Sequence, residues 1–204
     1  METIQAIYDR RSIRKYSNRP VSKEVIEHII GAGMQAPSAK NRQPWKFVVA
    51  TGDAKNSLLD TMERGIRDEI VGQGILPQSR QYLAGAQNTV RIMRQAPVTL
   101  IVLNTQGFSL YQALAAEDRV YDIANIQSIG ATMQNMALAA IECGLGSLWI
   151  CDIFFAYKQL TKWLDTEGEM IAAMSFGYPE EQPAARARKG LAEVTEWLGW
   201  AEES

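Results

Sequence analysis

Arg10, Arg11, Arg14 and Lys15 gather four cations around Ser12 within six residues, and a second basic group, Arg186, Arg188 and Lys189, lies near the other end of the chain. A guanidinium presents a planar fork that matches phosphate oxygens, and a neighbouring serine hydroxyl adds a further donor. Brought together by folding, the two groups make a phosphate clamp; kept apart, they are solvated surface. The first group would also suit the negative carboxyl end of a helix over Thr3–Asp9. A helical Arg10–Arg14 segment would put Arg10 and Arg14 on one face and turn Arg11 elsewhere. A third polar group follows at Pro37, Ser38, Ala39, Asn41, Gln43 and Pro44. Its prolines fix the backbone and remove two donors, so its neutral side chains suit either the carbonyl and hydroxyl edges of a bound molecule or the turns of a plain loop.

The elements that must position these residues begin with a short helix over Thr3–Asp9, with Ile4 and Ile7 on one face. Ser22 caps a second helix, in which Val25, Ile26, Ile29 and Ile30 recur at helical spacing before Gly31 and Gly33 end it. Trp45–Ala50 reads as a strand, followed by a capped helix from Asp53 through Met62 and Ile66. Residues 68–94 are rich in glycine and glutamine and contain Pro77, yet Tyr82, Leu83, Val90 and Met93 predict some helix there. The apolar run at 98–103 suits an interior strand covered on both faces, and Phe108 and Tyr111 in the connection after it could cover a bound ring. Residues 122–143 predict the central helix, whose Met133 and Met136 read as core or subunit packing. A short buried strand or turn at 148–150 and a strand at 170–176 flank a helix at 157–164.

With 204 residues, 47% of them hydrophobic, the chain fits one domain over 1–204. A net charge of -2 opposes broad binding to nucleic acid or an anionic membrane, and points instead to one small anion. The apolar runs are too short to span a bilayer, and Glu2 and Asp9 stand where a leader would be basic, which predicts a cytoplasmic protein. Cys143 and Cys151 are too few for a disulfide framework or thiolate cluster and read as buried small residues, with His28 read as a helix-packing residue. No metal site is expected. Neither a glycine-rich dinucleotide fingerprint nor a GxxxxGK[ST] loop occurs. The tail holds Leu191, Val194, Trp197, Leu198 and Trp200, apolar enough to predict packing against a partner subunit.

Taken as a set, RRSIRKY from Arg10, PSAKNRQPW from Pro37, GLGSLWI from Gly144, FGYP from Phe176 and RARKG from Arg186 resemble the nitroreductase family of flavin mononucleotide (FMN) enzymes, over almost the whole chain. The resemblance implies an α/β (α+β) nitroreductase-like fold, with a central mostly antiparallel or mixed sheet flanked by helices. It also implies an intertwined homodimer with FMN between the subunits, the long helix as dimer axis and residues 191–204 as a dimer-embracing tail. By resemblance, Arg10, Ser12, Arg186 and Arg188 hold the FMN phosphate, with Arg11 and Lys189 assisting or facing solvent. Arg14 lies near the pyrimidine carbonyl edge, and Pro37, Ser38, Ala39 and Asn41 follow the ribityl chain and ring edge. The turn at Ile150, Cys151 and Asp152 brings backbone near flavin N5, with no nucleophilic role for the Cys151 thiol. The implied activity is hydride transfer from NADH or NADPH through N5, by alternation, to a small-molecule electron-poor acceptor such as a nitroaromatic or quinone. A specialised flavin, enone or dehalogenating reductase, a non-catalytic FMN-binding protein and a flavin-free structural homodimer are the alternatives.

Overall fold

Four strands, β1 (Trp45–Ala50), β2 (Val98–Asn104), β3 (Gly146–Ile150) and β4 (Glu169–Gly177), form one sheet in the order β1-β2-β4-β3, with every neighbouring pair antiparallel. The computed structural model describes residues 2–199. β2 is buried along its whole length because both faces of the sheet are covered. Alternate side chains divide between the two layers: Val98, Leu100 and Val102 join one core and Ile101 and Leu103 the other. β4 follows the same division, Met174 and Phe176 against Met170 and Ala173, with an irregularity in register between Val102 and Leu103. Leu100, Ile101 and Leu103 are completely buried, and each such side chain contributes about 1.5–3 kcal/mol.

The helices are α1 (Thr3–Asp9), α2 (Lys23–Gly33), α3 (Gly52–Ile70), α4 (Leu83–Gln95), α5 (Ala116–Glu142), α6 (Tyr157–Leu164) and the single turn α7 (Leu191–Val194). α2 and α5 cover the face of Leu100 and Met174, while α3, α4 and α6 cover the face of Ile101 and Ala173. Ser22 caps α2 as its position predicts, its Oγ accepting from Val25 N at 3.4 Å. α5, about 40 Å long by its rise per residue, carries Ile129, Met133 and Met136 into the core and leaves Val120, Ile123 and Ile126 exposed. A methyl at Gly65 of α3 would fall inside contact distance of Ala156 Cα and Cβ, so this close approach to the 3-10 turn Asp152–Ala156 requires glycine.

The structure differs from the sequence expectations at the starts of two helices, at His28 and at both cysteines. The central helix begins at Ala116, a turn and a half before residue 122, because Glu117 and Asp118 suit a helix amino terminus that the apolar pattern alone does not mark. α3 starts at Gly52 with Thr51 as N-cap; Asp53 sits in the first turn and caps nothing by its side chain. His28 is exposed, since the buried stripe of α2 runs through Ile26 and Ile29. Neither cysteine is buried: Cys143 is half-buried at the end of α5 and Cys151 is exposed after β3. In the tail, Leu191, Val194 and Leu198 are exposed on this chain, and Trp200 with the rest of 200–204 lies outside the described residues.

The connection after β2 is tied down by Tyr157 at the start of α6. Its hydroxyl accepts from Leu110 N at 3.4 Å, lies 3.4 Å from Ser109 Oγ, and donates to Glu169 Oε2 at 3.0 Å. Tyr111 packs edge-on to the Tyr157 ring. Burial pushes the Glu169 carboxyl up; the Tyr157 hydrogen bond opposes this and the Asp122 carboxylate adds to it. A carboxyl raised on folding contributes stability that is fully present below its unfolded value, 4.5, and is lost as pH rises through the folded value. The unfolding free energy of the wild type is therefore expected to gain on that of Glu169→Gln as pH falls from about 7 towards the acidic range. Urea titrations across that interval check the slope, and a pH-independent difference contradicts it.

Candidate functional site

The two basic groups meet because of pairing at both ends of residues 10–17. Extended backbone begins at Arg10, and Ser12 bridges Ser147 of β3 in parallel, with Ile13 N donating to Ser147 O at 3.0 Å. Helical continuation from α1 through Arg14, the arrangement that would have paired Arg10 with Arg14 on a helix face, does not occur. In extended chain, Arg10, Ser12 and Arg14 instead project alike while Ile13 enters the core. Ile13 fits only because Gly146 has no side chain: a Cβ there would meet Ile13 Cγ1 at 2.5 Å. Further on, Tyr16 bridges Pro179, Ser17 N donates to Tyr178 O at 2.9 Å, and Glu180 N donates to Lys15 O at 3.0 Å. The Glu181 carboxylate accepts from Arg14 N. This pairing returns residues 183–188 over the first basic group.

The result is a cavity of about 350 Å³ on which Arg10, Ser12 and Arg14 converge with Arg186 and Arg188. Arg11 also lines it, and no carboxylate does. The guanidiniums differ in their prior commitments. Arg11 Nη1 donates to Tyr8 O at 2.6 Å and Arg10 O at 2.8 Å, closing the end of α1. Arg14 Nη1 donates to Ser12 O at 3.1 Å, and Arg188 makes only long contacts, 3.3 and 3.4 Å, to the carbonyls of Arg186 and Ala187. The side chains of Arg10 and Arg186 have no hydrogen bond or ion pair among the described residues. An adjoining space of about 600 Å³ is larger, but Asp9, Glu180 and Glu181 share its rim with Arg11, which makes it a poor anion site. Gln134 of α5 also lines the arginine cavity. Sequence reasoning missed it, although a polar residue between Met133 and Met136 on a core-facing helix was a usable signal.

Gly146→Val is expected to push Ile13 away and loosen the Ser12 bridge, at a cost of about 1–3 kcal/mol, with weaker anion binding at the cavity. Urea denaturation and a phosphate-ligand titration of the same variant check it.

The other predicted residues lie elsewhere on the chain. Ala39 N donates to Ser128 Oγ at 3.3 Å, which seats the loop of Pro37, Ser38, Ala39 and Asn41 against α5 about 9 Å along the helix from Gln134 and on a different side. Ser38 Oγ accepts from Gln43 N at 3.0 Å, so this hydroxyl shapes the loop. Ile150 is buried at the end of β3, and the turn Asp152–Ala156 follows Cys151. Thr89 Oγ1 donates to Asp152 Oδ2 at 2.5 Å and fixes the start of that turn, whose first N–H groups have no partner within it. Although Cys151 is exposed as a residue, desolvation by the protein around its thiol pushes the thiol up; a hydrogen bond with Trp149 offsets this in part and the Asp152 carboxylate adds to it, which disfavours a thiolate. Among the described residues no group of three or more His, Cys, Asp or Glu could hold a metal ion, and no helix is long and apolar enough to cross a membrane.

The nitroreductase family model matches residues 7–178, and the chain belongs to the nitroreductase family. It is 28% identical over 186 residues to a protein of Archaeoglobus fulgidus described as an NADH dehydrogenase/NAD(P)H nitroreductase, covering 89% of this chain and 87% of that one. Its fold is similar to that of a BluB-like flavoprotein from Clostridium difficile 630, with a TM-score of 0.81, 25% identity, and coverage of 97% of this chain and 99% of the other. A protein from Desulfovibrio desulfuricans described as a nitroreductase, solved in complex with FMN, gives a TM-score of 0.70 at 27% identity over 98% of this chain and 99% of its own.

Proposed function

We propose that this chain is an FMN-dependent oxidoreductase that uses NADH or NADPH to reduce an electron-poor small molecule, as a homodimer in the cytoplasm. The observation that carries the reading is the convergence of Arg10, Ser12, Arg186 and Arg188 on one cavity without a lining carboxylate. The fit to a phosphate monoester is chemical: fork-shaped donors, a hydroxyl, and net positive charge in a partly enclosed space. The relatives' descriptions, a flavoprotein, an FMN complex and an NAD(P)H nitroreductase, support the same cofactors.

What FMN supplies there is a hydride relay: acceptance at N5 from NADH or NADPH and, in a separate half-reaction, delivery to an acceptor such as a nitroaromatic or quinone. The chain's own residues bind and orient. Arg10, Ser12, Arg186 and Arg188 hold the phosphate, with Arg11 and Lys189 at the margin, and Arg14 polarises the pyrimidine edge. Pro37, Ser38, Ala39 and Asn41 border the ribityl chain and ring. The backbone of the turn at Ile150, Cys151 and Asp152 would lie near the redox-active edge, where a fixed N–H donor would stabilise developing negative charge. The Cys151 thiol takes no part. Because the arginine cavity and the loop of Asn41 occupy different sides of α5 in one chain, two copies together complete the site, with Val120, Ile123 and Ile126 of α5 and the tail from Leu191 at the contact.

Absorption spectra of the purified protein, before and after anaerobic addition of NADH and of NADPH, test the proposal. A flavin spectrum that bleaches with at least one nicotinamide is expected. A flavin that neither bleaches would leave a binding protein, and no flavin after reconstitution with FMN would refute the cofactor itself.

A further inference from the structure

Three of the four non-glycine residues with left-handed backbone among the described residues fall in one loop: Lys40 (φ 54°), Asn41 (φ 52°) and Gln43 (φ 48°). Asparagine tolerates this region, whereas lysine and glutamine adopt it only at a conformational cost. The loop is held there by Asn41 N donating to Ser38 O at 2.9 Å, Gln43 N to Ser38 Oγ at 3.0 Å, and Thr105 N to Pro44 O at 2.7 Å. The strained turn sends Lys40 and Arg42 to the same place. Arg42 Cζ lies 4.4 Å, and Lys40 Nζ 5.9 Å, from the centre of the Tyr121 ring.

An aromatic face fixes a cation without using its hydrogen-bond donors. Neither side chain has an ion pair or hydrogen bond among the described residues; the ion pairs present use Lys23, Arg67 and Arg94. The carboxylates on the same stretch of α5 make no ion pair with them: Glu117 accepts from Tyr121 Oη and Asp122 from Asn104 Nδ2, each at 3.5 Å, and Asp118 lies in the first turn of the helix. Lys40 and Arg42 are therefore two positioned cations whose donors are free for a ligand.

We infer that Lys40 and Arg42 form an anion subsite that selects among reactants by a phosphate or carboxylate they carry. The inference rests on the reading that the loop of Ser38 and Asn41 borders the flavin. Two sources share this chemistry: the 2′-phosphate that distinguishes NADPH from NADH, and an anionic substituent on the electron acceptor.

The test is calorimetric titration of the FMN-loaded protein, wild type and Lys40→Gln/Arg42→Gln, with two matched pairs: 2′,5′-ADP against 5′-AMP, and 4-nitrobenzoate against 4-nitrobenzamide. In one pair the wild type is expected to bind the more anionic member about tenfold more tightly, a margin the double variant loses, while the other member changes by less than about twofold. The pair that responds identifies the source. Equal affinities within both pairs, or a margin that survives in the double variant, overturn the inference, as does dissociation of the dimer in the double variant, which would assign the cations to the subunit contact. The flavin absorbance of the wild type reports separately on the proposed function. If it is absent, the same titrations on the apoprotein still decide the subsite.

Discussion

Arg10→Ala is expected to weaken FMN binding by roughly one to two orders of magnitude, because a hydrogen bond to a charged group contributes about 1.5–3 kcal/mol and about 1.4 kcal/mol corresponds to tenfold. Arg10 lines the cavity and its side chain has no other partner among the described residues, so the full donor set of its guanidinium is available to a ligand. Arg11 makes the discriminating control. Its guanidinium already closes α1 through Tyr8 O and Arg10 O, so Arg11→Ala should cost less FMN affinity and more helix stability. Arg188→Ala should resemble Arg10→Ala, since its present contacts to Arg186 O and Ala187 O are long and local. Fluorescence titration of the apoproteins with FMN measures all three. Equal small losses for Arg10→Ala and Arg11→Ala would remove the phosphate assignment.

Truncation before Leu191 is expected to abolish the dimer and flavin retention together. Leu191, Val194 and Leu198 are 68%, 63% and 81% exposed on the single chain, an apolar series out of keeping with a free surface. If each side chain is covered in the dimer, the gain is of the order of 1.5–3 kcal/mol apiece. The tail follows directly after Arg186 and Arg188, so losing its anchor should also free the second half of the clamp. Size-exclusion chromatography with absorbance at the flavin wavelength reads both consequences. An intact, flavin-loaded dimer of residues 1–190 would contradict the swapped tail.

Much of the fold was legible because local periodicity and burial agree. Thr3–Asp9 and Trp45–Ala50 emerge with the bounds that their residue patterns predict, and the run at 98–103 sits, as an apolar strand should, between two helical layers. The errors arise where a distant partner overrides local chemistry. Nothing within residues 10–16 announces that Ser12 will pair with Ser147 and Tyr16 with Pro179, so the conformation of the basic stretch after the helix stays open in the sequence. The left-handed Lys40 and Gln43 are invisible for a similar reason: these residue types ordinarily avoid that backbone, and only Ser38, Ser128 and Thr105 hold it. The candidate site was legible as a set of residue types, but its division between two sides of α5 was not, because that follows from packing. Gln134 was legible only as a polar interruption between Met133 and Met136, with nothing local to say which cavity it lines.

The proposed phosphate grip is made by two arginine groups, Arg10 with Ser12 and Arg186 with Arg188. Riboflavin carries the same ring and ribityl chain as FMN and lacks only that phosphate, so titrating the apoprotein with each isolates the grip. FMN is expected to bind at least about a hundredfold more tightly than riboflavin, equivalent to the loss of about two charge-assisted bonds. Indistinguishable affinities would contradict it.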